Sequence, residues 1–322
     1  MFDGHGGWKG ADFAAENIGH NILNALGEQS ELDGESDINT ANKVDFLSKK
    51  NLEEAVKAGY LRTDEEFLKL GFWGGSTCVT VLIIDGNLVV SHAGDSRAVI
   101  SRRNRDGDCN TGVAEALTCD HKPGREDERE RIEKLGGSVT DYYGISRVGL
   151  IAISRAIGDG FMKILVSSEP ETRIVEILSD CEFIILASDG LLDVVINQEA
   201  VDIARPFCLG EEHGEALGEE HGEALLDACK KLVEVTIAAP RLLQGGKIEL
   251  KRPGGNGHIP PFSIPLLLNV GSCGFCQILV THLGLMLFVI HVVYIYSRLN
   301  ILKYMYKVEE YVFCYSCCLH LF

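Results

Sequence analysis

The chain has 322 residues, enough for one large domain or two small ones, and a formal net charge of −17. Residues 1–238 hold 23 Lys/Arg against 44 Asp/Glu, whereas the remainder holds seven Lys/Arg against three Glu. So acidic a body excludes nucleic acid as a partner and suits divalent cations. The eleven cysteines are scattered, with no common spacing among Cys78, Cys109, Cys119, Cys181, Cys208 and Cys229 of the body, and no signal peptide is expected before the first motif; both point to reduced thiols and an intracellular protein.

Met1 to Gly7 reads as a strand ending in Asp3-Gly4-His5, followed by glycines that open a turn. A carboxylate, a bare carbonyl and an imidazole then lie close together, and the missing side chain at Gly4 lets its carbonyl face an ion. Lys9 to Leu26 predicts a helix, with Ala11, Ala14, Ala15, Ile18, Ile22, Ala25 and Leu26 at helical spacing and Gly27 as its stop. Gln29 to Lys43 predicts an acidic surface loop. Leu52 to Leu70 predicts a second helix, buried on Leu52, Ala55, Val56, Tyr60 and Phe67.

Ser76–Ile84 and Leu88–Ala93 predict a hairpin through Asp85-Gly86-Asn87. Gly94-Asp95-Ser96-Arg97 interrupts, and Ala98–Ser101 continues the sheet. Ala116–Thr118 predicts a short strand leading to Asp120-His121-Lys122-Pro123. Glu126–Leu135 predicts a charged helix closed by Gly136-Gly137. Arg147–Ile153 predicts a strand that runs into Ser154-Arg155-Ala156-Ile157-Gly158-Asp159. Ser154, Arg155 and Asp159 read as structural residues, with Arg155 placed to pair with acids. Thr172–Ile177 predicts another strand.

Cys181–Ala187 is an apolar strand that stops abruptly at Ser188-Asp189-Gly190. Two strands ending in Asp-Gly place Asp3 and Asp189 side by side, and carboxylates so close repel unless a divalent cation lies between them. Asn197 is expected to cap a helix over Gln198–Arg205. The octapeptide GEEHGEAL of residues 210–217 recurs unchanged at 218–225 and reads as a duplication in a loop. Ala224–Val235 predicts a further helix. Helices, hairpin strands and helices again give an α+β class with helices on sheets.

The segments FDGHGG, GGSTCVTVLI, NLVVSHAGDSRAVISR, LTCDHKP, ERERIEKLGGSV, AISRAIGD, SSEPET and LASDGLLD follow one another in this order. The succession, from Met1 to about Ala238, resembles the metal-dependent protein phosphatases of type 2C. Its texture is similar to that of the plant members that act on mitogen-activated protein kinases. The resemblance implies two packed antiparallel β-sheets flanked by helices, with the metals in a cleft at one end of the sandwich. It implies hydrolysis of phosphoserine and phosphothreonine in phosphorylated proteins by a hydroxide held between two Mg²⁺ or Mn²⁺ ions. Asp3 would bridge the ions, the Gly4 carbonyl would hold one and Asp189 the other. Asp95 and Asp193 would hold a weaker third ion, and His5 would be the general acid for the leaving oxygen.

The chain also departs from that pattern. The family's acidic pair and phosphate-binding arginine, on a strand before FDGHGG, have no counterpart here. The family's last metal aspartate, on an Asp-Asn or Asp-Asp turn before a final strand, is missing too, and Leu192 stands where the family has Trp. Residues 1–238 therefore read as the phosphatase domain without its first strands and last strand, and 239–322 as a divergent tail. Within the tail, Cys276–Tyr296 contains no Asp, Glu, Lys or Arg. It is expected to be helical, to stay out of the sandwich core and to be long enough for one membrane span. Activity is expected to be weak. The alternative reading is a degenerate phosphatase that holds phosphorylated partners without turnover, tethered to a membrane through the tail.

Overall fold

The hairpin at Asp85-Gly86 is the centre of the first sheet. Strands β2 (Gly75–Ile84) and β3 (Asn87–Ala93) pair antiparallel, with Cys78 opposite Ala93 and Ile84 opposite Asn87. Asp85 at φ 47° and Gly86 at φ 74° give the double left-handed turn that matches the twist of the flanking strands. The computed structural model describes residues 1–32, 49–104, 111–142, 144–209, 225, 227–236, 266–270 and 276–278.

Strand β1 (Phe2–His5) and, after the pairs β6 (Val139–Tyr142) and β7 (Ile145–Val148), the two-residue β8 (Ile157–Gly158) both join β2. At Gly75 the sheet is three strands wide, with His5 paired on one side and Gly158 on the other. Strand β9 (Glu171–Glu176) completes this sheet beside β3. In the second sheet β10 (Cys181–Ala187) lies between β4 (Arg97–Arg103) and β11 (Leu266–Val270), with β5 (Gly112–Ala116) and β12 (Cys276–Ile278) at the two edges.

Alternation along the strands sorts the core into layers. Val79, Val81, Leu88 and Val90 of the first sheet meet Ala98, Ile100, Ile184 and Leu186 of the second. The opposite face of the first sheet, with Phe2, Cys78, Leu82 and Val89, packs under α1 (Lys9–Leu32) and α2 (Lys49–Lys69). The opposite face of the second, with Val99, Phe183 and Ile185, packs under α5 (Asn197–Cys208), which follows the one-turn α4 (Asp189–Leu192), and under α6 (residues 227–236). Fully buried Tyr60, Phe67 and Phe183 are worth about 1.5–3 kcal/mol each by area. The β6–β7 pair and α3 (Glu126–Lys134) enclose a separate small cluster of Ile132, Val148, Ile153, Ala156 and Val166. The α–β–β–α sandwich is the architecture expected from the motifs.

Several boundaries differ. Helix α1 runs through Gly27 to Leu32, because a mid-helix glycine costs only about 1 kcal/mol and the packed Ala/Ile face carries the helix past it. Asn197 is the first residue of α5 and not its cap; Ile196 occupies the cap position without a side-chain bond. The strand expected over Arg147–Ile153 ends at Val148, which closes a tight turn with reciprocal bonds to Ile151. The strand near Ala116 is displaced to Gly112–Ala116, where it pairs with β4.

The tail also differs from expectation. Cys276–Ile278, the start of the run expected to be helical, is a strand paired with β11, and β11 in turn fills the edge of β10. The free edge of a buried strand presents unpaired N–H and C=O groups, and the apolar Leu266–Val270 satisfies them. The rest of the run, residues 279–296, lies outside the described residues, as does the tandem octapeptide apart from Leu225. Among the described residues, no helix is long and apolar enough to cross a membrane.

Two glycines in the helical layer separate propensity from packing. A Cβ on Gly27 meets nothing within 4 Å, whereas one on Gly59 would lie 2.8 Å from the Ile22 Cα where α1 and α2 cross. Gly27→Ala should stabilise the fold by about 0.5–1 kcal/mol. Gly59→Ala gains the same propensity but overpacks the crossing, and should destabilise by about 1–3 kcal/mol. Urea denaturation of both variants checks the opposite signs.

Candidate metal and acid–base site

Asp3, Gly4 and His5 occupy successive positions of β1, opposite Thr77, Ser76 and Gly75. The register carries this strand to the β3–β4 turn, because Thr77 Oγ1 lies 2.6 Å from the Ser96 Oγ. Asp95, the residue before Ser96, is 5% exposed and pairs with the Lys122 ammonium. Asp189 opens α4 at the end of β10, and Asp193 lies one turn further on.

Electrostatics ties three of the aspartates together. Burial raises the Asp189 carboxyl above the usual carboxylate range, and the nearby charges of Asp95 and Asp193 raise it further, while Lys122 opposes them. A set of carboxylates that impede one another's ionisation, with only hard oxygen donors, is the arrangement a divalent cation relieves. Two of these aspartates already have internal cationic partners. Asp95 holds Lys122, and Asp193 accepts a hydrogen bond of 2.8 Å from Arg97, which also forks onto Asp120 at 2.6 Å through two nitrogens. Arg97, Asp120 and Lys122 were not selected from the sequence. GDSR and DHKP carried the signal, since each sets a charge of opposite sign within two residues of its aspartate.

His5 faces a different carboxylate. Its Nε2 donates to Asp159 Oδ2 at 2.6 Å, and the Asp159 side chain is 1% exposed while that of His5 is 33% exposed. Asp159, expected to be structural, thus orients the histidine through Nε2 and leaves Nδ1 outside this bond. Its backbone sits at φ 54°, and its N–H donates 2.9 Å to the Gly74 carbonyl. A Cβ on Gly75 would collide with the Ile157 carbonyl and lie 2.8 Å from Asp159 Oδ2. The Gly74-Gly75 pair therefore permits the approach that brings His5 and Asp159 together.

Arg155 pairs with a buried acid, as expected. It donates to Glu128 Oε1 at 3.0 and 2.6 Å, and Arg131 takes the other oxygen at 2.8 Å. Burial alone would raise the Glu128 carboxyl, but the two guanidiniums overcome it and hold it at about 2.

A second group, His92, His121 and Glu171, has nitrogen and oxygen atoms within 4.8 Å of one another. Most of its polar atoms are engaged by the protein, while His121 Nε2 is buried without a hydrogen-bond partner among the described residues and only faces Glu171. His92 Nε2 donates to the Cys119 carbonyl at 2.9 Å, and the two imidazoles stack with centroids 4.3 Å apart. Gly94 N–H donates to His121 Nδ1 at 3.2 Å, which leaves Nε2 to carry its proton toward Glu171 Oε2, 3.3 Å away. Arg125 holds the same Glu171 oxygen at 2.8 Å. The trio is a latch between β3, the segment around His121 and β9, and its two-imidazole donor set suits zinc better than Mg²⁺.

The latch has a pH signature. Burial, reinforced by the neighbouring His121, lowers His92 from 6.5 to about 4. The unfolded chain takes up this proton near pH 6.5 and the folded chain only near pH 4. The stability contribution is therefore complete above pH 6.5 and lost as the pH falls to 4, by about 3 kcal/mol. His92→Gln should flatten the fall in urea-denaturation stability between pH 6.5 and 4; an unchanged slope would assign the loss elsewhere.

Comparison with known proteins gives the chain a family and a fold. The family profile described as Protein phosphatase 2C matches residues 1–240. The chain is 47% identical over 239 residues to "Probable protein phosphatase 2C 30" of Arabidopsis thaliana, covering 74% of this chain and 53% of that protein. It is 47% identical over 238 residues to "Probable protein phosphatase 2C 32" of Oryza sativa subsp. japonica, with 74% and 53% covered. Among solved structures it is similar to a serine-threonine phosphatase 2C from Toxoplasma gondii, at TM-score 0.59 and 27% identity, covering 76% of this chain and 79% of that one. The chain spans about half the length of the curated relatives it matches. With the profile covering most of its length, the chain belongs to the protein phosphatase 2C family.

Proposed function

We propose that this chain is a protein-serine/threonine phosphatase that hydrolyses phosphoserine and phosphothreonine in other proteins, with Mg²⁺ or Mn²⁺ as cofactor. The observation that carries the reading is a hydrogen-bonded His5–Asp159 pair on the same sheet end as a cluster of mutually repelling aspartates. Asp3, the Gly4 carbonyl and Asp189 would hold two ions, and Asp95 and Asp193 a weaker third. When bound, divalent cations neutralise phosphoryl oxygens and make water a nucleophile at neutral pH.

The protein's own groups divide the remaining work. Asp159 accepts a hydrogen bond from Nε2–H of His5 and fixes the ring, so that Nδ1 is the atom that would pass a proton to the departing serine or threonine oxygen. Lys122 neutralises Asp95 and limits the repulsion among the carboxylates. Arg97 fixes Asp193 by bridging it to Asp120. The substrates are phosphorylated proteins, with mitogen-activated protein kinases as the class the motif texture favours. The buried thiols of Cys78, Cys181, Cys208 and Cys229, none of them in a disulfide, support an intracellular location.

The test is turnover with two leaving groups. In Mn²⁺, the chain should hydrolyse a phosphothreonine peptide, and Asp189→Ala should remove most of this activity. His5→Ala should slow the peptide reaction roughly 10²- to 10⁴-fold and an aryl phosphate much less, because a phenolate leaves without a proton. Asp159→Asn should reproduce the peptide-selective loss in milder form. Equal losses on both substrates would refute proton donation by His5. Absence of metal-stimulated turnover would favour a phosphoprotein-binding module without catalysis.

A further inference from the structure

The rings of Trp73 and Phe161 stack face to face on the surface, with centroids 4.5 Å apart and planes 2° from parallel. They remain 68% and 49% exposed. Two large aromatic side chains held flat against each other in water bury only their shared faces and leave their outer faces open.

Their attachment to the site is specific. Phe161 lies two residues after Asp159, in the 3-10 turn Gly160–Met162. Trp73 precedes Gly74, whose carbonyl accepts the Asp159 N–H at 2.9 Å. On the other side, a Cβ placed on Gly6, the residue after His5, would lie 3.2 Å from Trp73 Cδ1. The stacked pair is thus fixed to the backbones on both sides of the His5–Asp159 hydrogen bond.

We infer that the Trp73–Phe161 stack is a specificity shelf that receives an apolar side chain of the phosphorylated substrate, within about two residues of the phosphorylated serine or threonine. This rests on the phosphatase reading, which places that residue at His5. An extended peptide advances about 3.3 Å per residue, so neighbouring side chains pass over whatever borders the histidine. Here that border is aromatic. Rigid aromatic side chains lose little entropy on binding and make large contacts, so they are efficient anchors. Lys9 lies over the Phe72 ring at 3.9 Å and Lys163, two residues after Phe161, pairs with Asp64 at 2.8 Å, so the shelf itself offers contact area and not charge. The acidic body repels anionic membrane surfaces, which favours a peptide over a lipid occupant.

The experiment uses the full chain in Mn²⁺ buffer and two labelled peptides. Each contains a non-hydrolysable phosphonate analogue of phosphothreonine; one is flanked by leucines, the other by alanines. Fluorescence anisotropy should show the leucine peptide binding about tenfold more tightly, as expected for burying one apolar side chain. Trp73→Ala and, independently, Phe161→Ala should erase this preference while leaving alanine-peptide affinity unchanged. Equal affinities in the parent chain, binding of neither peptide, or a preference that survives both substitutions would overturn the shelf. Hydrolysis of matching phosphothreonine peptides separates the two claims. Flank-selective binding without turnover keeps the shelf and removes the phosphatase reading. Turnover without flank preference does the reverse.

Discussion

The site depends on how closely three backbones approach at Gly74-Gly75. Strand β2 lies there between β1 and β8, with His5 paired to Gly75 on one side and Gly158 on the other. A side chain on Gly74 would collide with the His5 carbonyl, and one on Gly75 with the Ile157 carbonyl. Because neither glycine has a Cβ, the strand carrying His5 and the segment carrying Asp159 meet within hydrogen-bond distance. The two residues are 154 positions apart in sequence, so their contact relies on the whole first sheet being assembled. The Trp73–Phe161 stack borders the same junction, since Trp73 precedes Gly74 and Phe161 follows Asp159 by two residues.

Charge organises the other half of the site. An acidic body concentrates carboxylates at one end of the sandwich, and Asp189 bears the cost of neighbours of like sign. Lys122 and Arg97 reduce that cost by pairing with Asp95 and Asp193. These pairs are partly exposed, so their net contribution to stability is small; their positional role is larger. They hold the aspartates in place at the ends of strands whose buried faces are packed. The His92–His121–Glu171 latch ties this end of β3 to β9 and belongs to the scaffold.

Much of this was legible in the sequence, and the failures have physical causes. The hairpin at Asp85-Gly86, the buried strand Cys181–Ala187 and the helix built on Leu52, Ala55, Val56, Tyr60 and Phe67 all follow from local periodicity and turn chemistry. The motif order carried the family, and the expected pairing of Arg155 with an acid is met by Glu128. The His5–Asp159 contact was not legible, because no local pattern relates a strand end to a turn so distant in sequence. The ends of α1 and β7 were misplaced where tertiary packing or a tight turn overrode the residue signal at Gly27 and Val148. The strands at Leu266–Val270 and Cys276–Ile278 were missed for a related reason. Short apolar runs fit helix and strand equally, and only the open edge of β10 decides between them.

Calorimetric titration of the chain with Mn²⁺ tests the central claim most directly, because it reads the ion site apart from turnover. The account predicts saturable binding that Asp3→Asn and Asp189→Asn each weaken at least about tenfold and that His121→Gln leaves unchanged. Binding that survives both aspartate substitutions and disappears with His121→Gln would contradict it, and would move the metal to the histidine latch.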